Sequence, residues 1–143
     1  MPYEFPEGVT RADVAFRASA PTLEGLFASA ADALMQVMAE NLDAIRPAVE
    51  KNIALENDSL EMLLFDFLQE LVYFKDAEKL LLRVPAVRIE NINGRHVLRA
   101  AARGERLDPR RHRLNADVKA VTLHRFSLRR ADAGWEALVV LDI

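Results

Sequence analysis

The sequence predicts an α+β fold: two helices packed on one face of a largely antiparallel, mixed sheet, in the order β-α-β-α followed by two β-hairpins. Three observations carry this. Apolar residues recur at the helical period over 23–40, and a denser apolar run over 59–74 follows capping-box spacing. They alternate over 13–20 and 47–56, the pattern of a half-buried strand. Two turn signals, Asn93-Gly94 and Asp132-Ala133-Gly134, each lie between strand-like runs.

The start, Pro2 to Gly8, reads as an irregular arm with a short strand. Val14, Phe16 and Ala18 then share one side of a strand, with Arg17 and Ser19 on the other. Pro21 ends it, and Thr22 can cap the helix that begins at Leu23. That helix buries Leu23, Leu26, Phe27, Ala30, Leu34, Val37 and Met38 and exposes Glu24, Asp32, Gln36 and Glu40. Val49, Ile53 and Leu55 oppose Glu50, Asn52 and Glu56 in the next strand. Asp58-Ser59-Leu60-Glu61 has capping-box spacing, and the second helix runs from about Ser59 to about Phe74. Its ten apolar residues predict a central position. Runs over 80–90 and 96–104 flank Asn93-Gly94, and runs over 117–130 and 135–142 form the second hairpin. The crossing connections leave room for one parallel pairing.

The 143 residues suit a single domain spanning 1–143, large enough to bury a core without staples. The absence of cysteine excludes disulfides, zinc ribbons, iron–sulfur clusters and thiol catalysis. No apolar run is long enough to span a bilayer, and no basic segment leads into an apolar one at the start. The expected location is the cytoplasm, with no membrane partner.

Charge is unevenly placed. Residues 1–94 hold eight basic and sixteen acidic residues, whereas 95–130 hold eleven basic residues and only Glu105, Asp108 and Asp117. Such a stretch suits a phosphate or an acidic partner, or equally the solvated face of a sheet pairing with acidic helices. P-loop, G-x-G-x-x-G and G-x-S-x-G motifs are absent, and His96, His112 and His124 are too dispersed for a local zinc motif. Nothing points to an enzyme. Two carboxylates stand out: Asp13 at the entry to the first full strand, and Asp142 in the apolar ending Val139-Val140-Leu141-Asp142-Ile143. An apolar, strand-like ending predicts that Ile143 is tied down, with a terminal carboxylate beside Asp142. Clustered oxygen anions suit a hard cation such as Ca²⁺ or Mg²⁺. On spacing alone the plainer reading is preferred, a turn residue at Asp13 and the polar side of an edge strand at Asp142.

Several segments, in order, resemble the archease family. They are Tyr3-Glu4-Phe5 with Ala12-Asp13-Val14-Ala15-Phe16-Arg17-Ala18, then Thr22-Leu23-Glu24 with Phe27, Ala30, Ala33, Leu34 and Val37-Met38, and Leu60-Glu61 through Leu71-Val72-Tyr73. The most specific are Ala102-Arg103-Gly104-Glu105, Asp108-Pro109, His112, Val118-Lys119-Ala120-Val121-Thr122 and His124, followed by the ending Val140-Leu141-Asp142-Ile143. The resemblance implies a small non-enzymatic protein that assists an RtcB-type RNA ligase in tRNA splicing and RNA repair. Its role would be to promote guanylylation of the ligase and multiple turnover; chaperone-like roles are also suggested for the family. It implies a divalent metal, typically calcium, held by Asp13, Asp142 and the Ile143 carboxylate. His112, Lys119 and His124 are candidates for partner contact, although Lys119 could equally pair with Glu105 as structural support. RNA would be met through the ligase.

One departure bears on the metal. Thr10-Arg11 stands where the family reads His-Thr. A guanidinium next to Asp13 can neutralise the carboxylates without a metal, which predicts weaker Ca²⁺ binding than in relatives that keep His-Thr. The alternative function is an RNA-binding or chaperone-like module built on the 95–130 stretch. Few aromatics are placed for base stacking, which counts against it.

Overall fold

The computed structural model describes residues 2–6 and 13–143. The elements are β1 (Tyr3–Glu4), β2 (Asp13–Ala20), α1 (Leu23–Met38), a 3₁₀ turn (Leu42–Ala44), β3 (Val49–Asn57) and α2 (Leu60–Glu78). β4 (Leu80–Arg83), β5 (Val87–Ile92), β6 (Arg95–Arg106), β7 (Ala120–Ala131) and β8 (Gly134–Asp142) complete the chain. The α+β class is as predicted, with the strands divided between two sheets. One has the order β1-β2-β8-β7; the other has β3-β6-β4, with β5 also on β6. Every strand pair among the described residues is antiparallel, so no parallel crossing is used. Each helix packs on both sheets, α1 mainly on β2 and α2 mainly on β7.

The core is one contiguous cluster, with Phe16, Leu26, Phe27, Leu34, Phe67, Leu71, Leu81, Leu98 and Leu141 fully buried. The Phe27 and Phe67 rings meet between the helices at 5.7 Å. Burying each such side chain contributes about 1.5–3 kcal/mol, so the helices are held by packing more than by their caps. The caps are nonetheless in place. Thr22 Oγ1 accepts from Gly25 N–H at 3.0 Å, and Ser59 Oγ accepts from Met62 N–H at 3.2 Å. Ser59 rather than Asp58 is therefore the cap of α2. Glu61 turns instead to the edge of β7, where it accepts from Leu128 N–H at 3.3 Å.

Three departures from the predicted elements have local causes. α2 runs past Phe74 to Glu78 and ends in Lys79 at φ 57°, whose N–H bonds the Phe74 carbonyl. That left-handed cap position favours glycine, so a lysine there leaves no stop signal in the sequence. The strand predicted over 80–90 divides at Val84–Ala86 around Pro85, which has no N–H to give a ladder. Its halves pair with different stretches of β6. In β7, Thr122 pairs with Val140 and Ser127 with Leu138, so the four residues Leu123–Phe126 bulge opposite Val139 alone. Both hairpins form as predicted, with Asn93 at φ 52° and Gly94 at φ 82°. Gly104 lies so close to β4 that a Cβ there would overlap the Leu81 carbonyl. Among the described residues, no helix is long and apolar enough to cross a membrane.

Candidate functional site

Strand parity builds the site. In β8 the inward residues are Ala137, Val139 and Leu141, all fully buried, so Asp142 falls on the opposite face. In β2, Phe16 and Ala18 point inward with Val14 packed beside them, so Asp13 also falls on the outer face. The register places Asp13 directly opposite Asp142. Cross-strand partners project from the same face with Cβ atoms about 4.5–5.5 Å apart, so the two carboxylates are neighbours. On the other flank of Asp142 stands Ala120.

The backbone around this pair is fixed. Lys119 N–H donates to the Asp142 carbonyl at 2.8 Å, and the Ile143 side chain packs against the core. The adjoining row holds Ala15, Val140 and Thr122. Thr122 Oγ1 is buried there with no hydrogen-bond partner among the described residues. Like charges set directly opposite in a sheet disfavour one another, and a cation or guanidinium beside the pair offsets this. Carboxylate and main-chain oxygens are the donors a hard divalent cation takes, and in that respect the residues fit. Among the described residues no third His, Asp or Glu side chain joins the two aspartates, and the main-chain oxygens at Ile143 are the further donors they offer nearby. Thr10 and Arg11 lie outside the described residues.

The remaining candidates occupy separate places. His112 is buried, 3% exposed, and occupied on both ring nitrogens. Asp108 N–H donates to its Nδ1 at 2.9 Å, so the proton sits on Nε2, which meets Glu105 Oε2 at 3.0 Å. Glu105 also accepts from Arg46 N–H at 2.7 Å and pairs with Arg111. Burial pushes the Glu105 carboxyl up, but these donors outweigh it and hold its pKa below the ordinary value. Arg46, Arg111 and His112 all converge on Glu105 Oε2, and Lys119 lies elsewhere, lining an open groove of about 440 Å³ with Gln69, Val72, Tyr73, Asp76 and Ala77. His124 is exposed on the β7 bulge.

Lys75 was not singled out by sequence and matters most for positioning. It is 4% exposed, pairs with Asp76 and Asp117, and donates to the Val118 carbonyl at 2.7 Å. Desolvation works against its charge, yet Asp117 and Asp76 raise its pKa above the ordinary lysine value. It pins 117–118 to α2 just before Lys119 meets Asp142. The available signal was its place on the buried stripe Leu64, Leu68, Leu71, Lys75. Five of the ten arginines in 95–130 form ion pairs with acidic residues: Arg95, Arg103, Arg111, Arg113 and Arg129. Much of the basic stretch is therefore neutralised within the molecule.

Residues 3–143 match the family model described as Archease protein family (MTH1598/TM1083). The chain is 40% identical to Protein archease of Pyrococcus furiosus over 133 residues, covering 92% of this chain and 93% of that protein. It is 37% identical to Protein archease of Methanopyrus kandleri over 143 residues, the whole of both. The fold is similar to the solution structure of Methanobacterium thermoautotrophicum protein 1598, with a TM-score of 0.86, 31% identity and 99% of each chain covered. It is also similar to the crystal structure of an archease, possible chaperone, from Thermotoga maritima, with a TM-score of 0.64, 19% identity and 98% of each chain covered.

Proposed function

The chain belongs to the archease family, and on that footing we propose that it is a non-enzymatic accessory protein of an RtcB-type RNA ligase in the cytoplasm, promoting the ligase's guanylylation and multiple turnover in tRNA splicing and RNA repair. The observation that carries this reading is the Asp13–Asp142 pair, held on the outer face of a sheet beside the constrained Ile143. A pre-set anionic row is suited to presenting charge to a partner's metal- and phosphate-handling site, because it costs no reorganisation on contact. The description of the Thermotoga maritima protein as a possible chaperone suits the same kind of role.

The residues that would hold a divalent cation, Ca²⁺ in this reading, are Asp13, Asp142 and Ile143. Bound there, the ion would offset the two negative charges and leave positions open for oxygen atoms of a partner. The chain's own residues do the positioning. Lys75 fixes the segment before Lys119, and the Lys119 N–H fixes Asp142. His112 supports the 105–113 segment from inside, while Lys119 and His124 are the residues left to meet a partner. A direct RNA-binding module is the weaker reading, because half of the arginines in 95–130 already pair with carboxylates. The test measures guanylylation of a ligase from the same source with substoichiometric protein. Stimulation by the unaltered chain, lost in Asp13→Ala, supports the reading; no stimulation by the unaltered chain ends it.

A further inference from the structure

The stretch Leu123–Phe126 concentrates departures from inexpensive structure. Four residues of β7 face one residue of β8, and Arg125 sits at φ 55°, a region that disfavours long side chains. Leu123 is 59% exposed, the most exposed of the large apolar residues among those described. The stretch is nonetheless held on both sides by α2. Val121 N–H donates to Gln69 Oε1 at 2.6 Å, and Leu128 N–H to Glu61. Within the bulge, Phe126 is buried and meets Phe65 edge-on at 5.6 Å. A strained conformation so firmly anchored is a shaped surface, not a loose loop.

Its chemistry is specific. The tip offers an apolar side chain followed by an imidazole and a guanidinium, and Arg125 has no ion pair among the described residues. The bulge begins right after Thr122, on the row next to Asp142. We propose that Leu123–Arg125 is the docking element for the protein partner, with Leu123 entering an apolar pocket and Arg125 pairing with a carboxylate at its rim. Engagement there brings the Asp13–Asp142 row alongside the partner. A phosphate backbone would satisfy Arg125 but offers nothing to Leu123, so a folded protein surface is favoured over RNA. The inference rests on the accessory role above, which makes the ligase the partner.

The experiment titrates the unaltered chain, Leu123→Asp and Arg125→Gly into purified ligase by calorimetry, with thermal melts and plain-RNA gel shifts in parallel. Both variants are expected to bind the ligase at least about tenfold more weakly, since an interface concentrates its affinity in few residues and arginine is prominent among them. Both are expected to melt at or above the unaltered chain, because Leu123 is exposed and glycine suits φ 55°. Ligase affinity unchanged in both variants overturns the inference while leaving the accessory role standing. Loss of an RNA shift in Arg125→Gly with ligase affinity intact assigns the bulge to RNA and also overturns it. Failure of the unaltered chain to bind ligase overturns the accessory role itself, and the inference with it.

Discussion

Asp13 and Asp142 are direct cross-strand partners, the first residue of β2 facing the last of β8 on the outer face of their sheet. Two like charges so placed cost a sheet roughly 0.2–1 kcal/mol unless something positive stands between them. That cost defines a measurable exchange between stability and cation binding.

Without divalent cation, Asp142→Asn is expected to melt close to the unaltered chain. With Ca²⁺ the two separate: the unaltered chain gains about 2.7 kcal/mol at a concentration 100 times its dissociation constant, and the variant gains little. Melting curves in chelator and in calcium check this. Equal calcium shifts in both proteins remove Asp142 from the site.

The Glu105 carboxyl is held below its unfolded pKa, so it contributes stability above the ordinary carboxylate range and loses it as pH falls through the folded value. Glu105→Gln is expected to cost about 1–3 kcal/mol at neutral pH, by weakening bonds to Arg46, Arg111 and buried His112. The acid limb of its stability–pH curve should also flatten. Urea melts from pH 3 to 7 provide the measurement.

Lys75 carries a raised pKa, so its contribution is complete below the unfolded lysine value and fades as pH rises through the folded one. Lys75→Met is expected to release residues 117–118 and, with them, the bond from Lys119 N–H to the Asp142 carbonyl. Hydrogen exchange at the Lys119 amide should accelerate while amides in the middle of β6 keep their protection. Unchanged exchange at Lys119 would show that β7 holds the segment alone.

Two backbone substitutions have opposite signs. Lys79→Gly relieves a left-handed lysine at the end of α2 and is expected to stabilise by about 0.5–1 kcal/mol. Gly104→Ala forces a methyl group into the Leu81 carbonyl and is expected to destabilise by about 3 kcal/mol. Chemical denaturation of both variants tests the two signs together.

The sequence by itself determined what is periodic and local. The 3.6 period marked α1, a dense apolar run after Asp58-Ser59-Leu60-Glu61 marked α2, Thr22 stood where a cap is needed, and Asn93-Gly94 marked its hairpin. Parity alone sent Asp13 and Asp142 to the outer faces of their strands, since Phe16 and Leu141 had to be buried. Only the tertiary structure decided which outer faces adjoin. That β2 pairs with β8 in a register matching Asp13 to Asp142 depends on contacts between the two ends of the described chain, and no local pattern encodes such a pairing. The same holds for Lys75, turned inward because Asp117 and the Val118 carbonyl wait there. It holds too for His112, enclosed by Glu105 and the Asp108 amide, and for the β7 bulge anchored by Phe65 and Gln69 of α2. In each case a polar or strained group is stable only because partners distant in sequence compensate it, and those partners exist as neighbours only once the chain has folded.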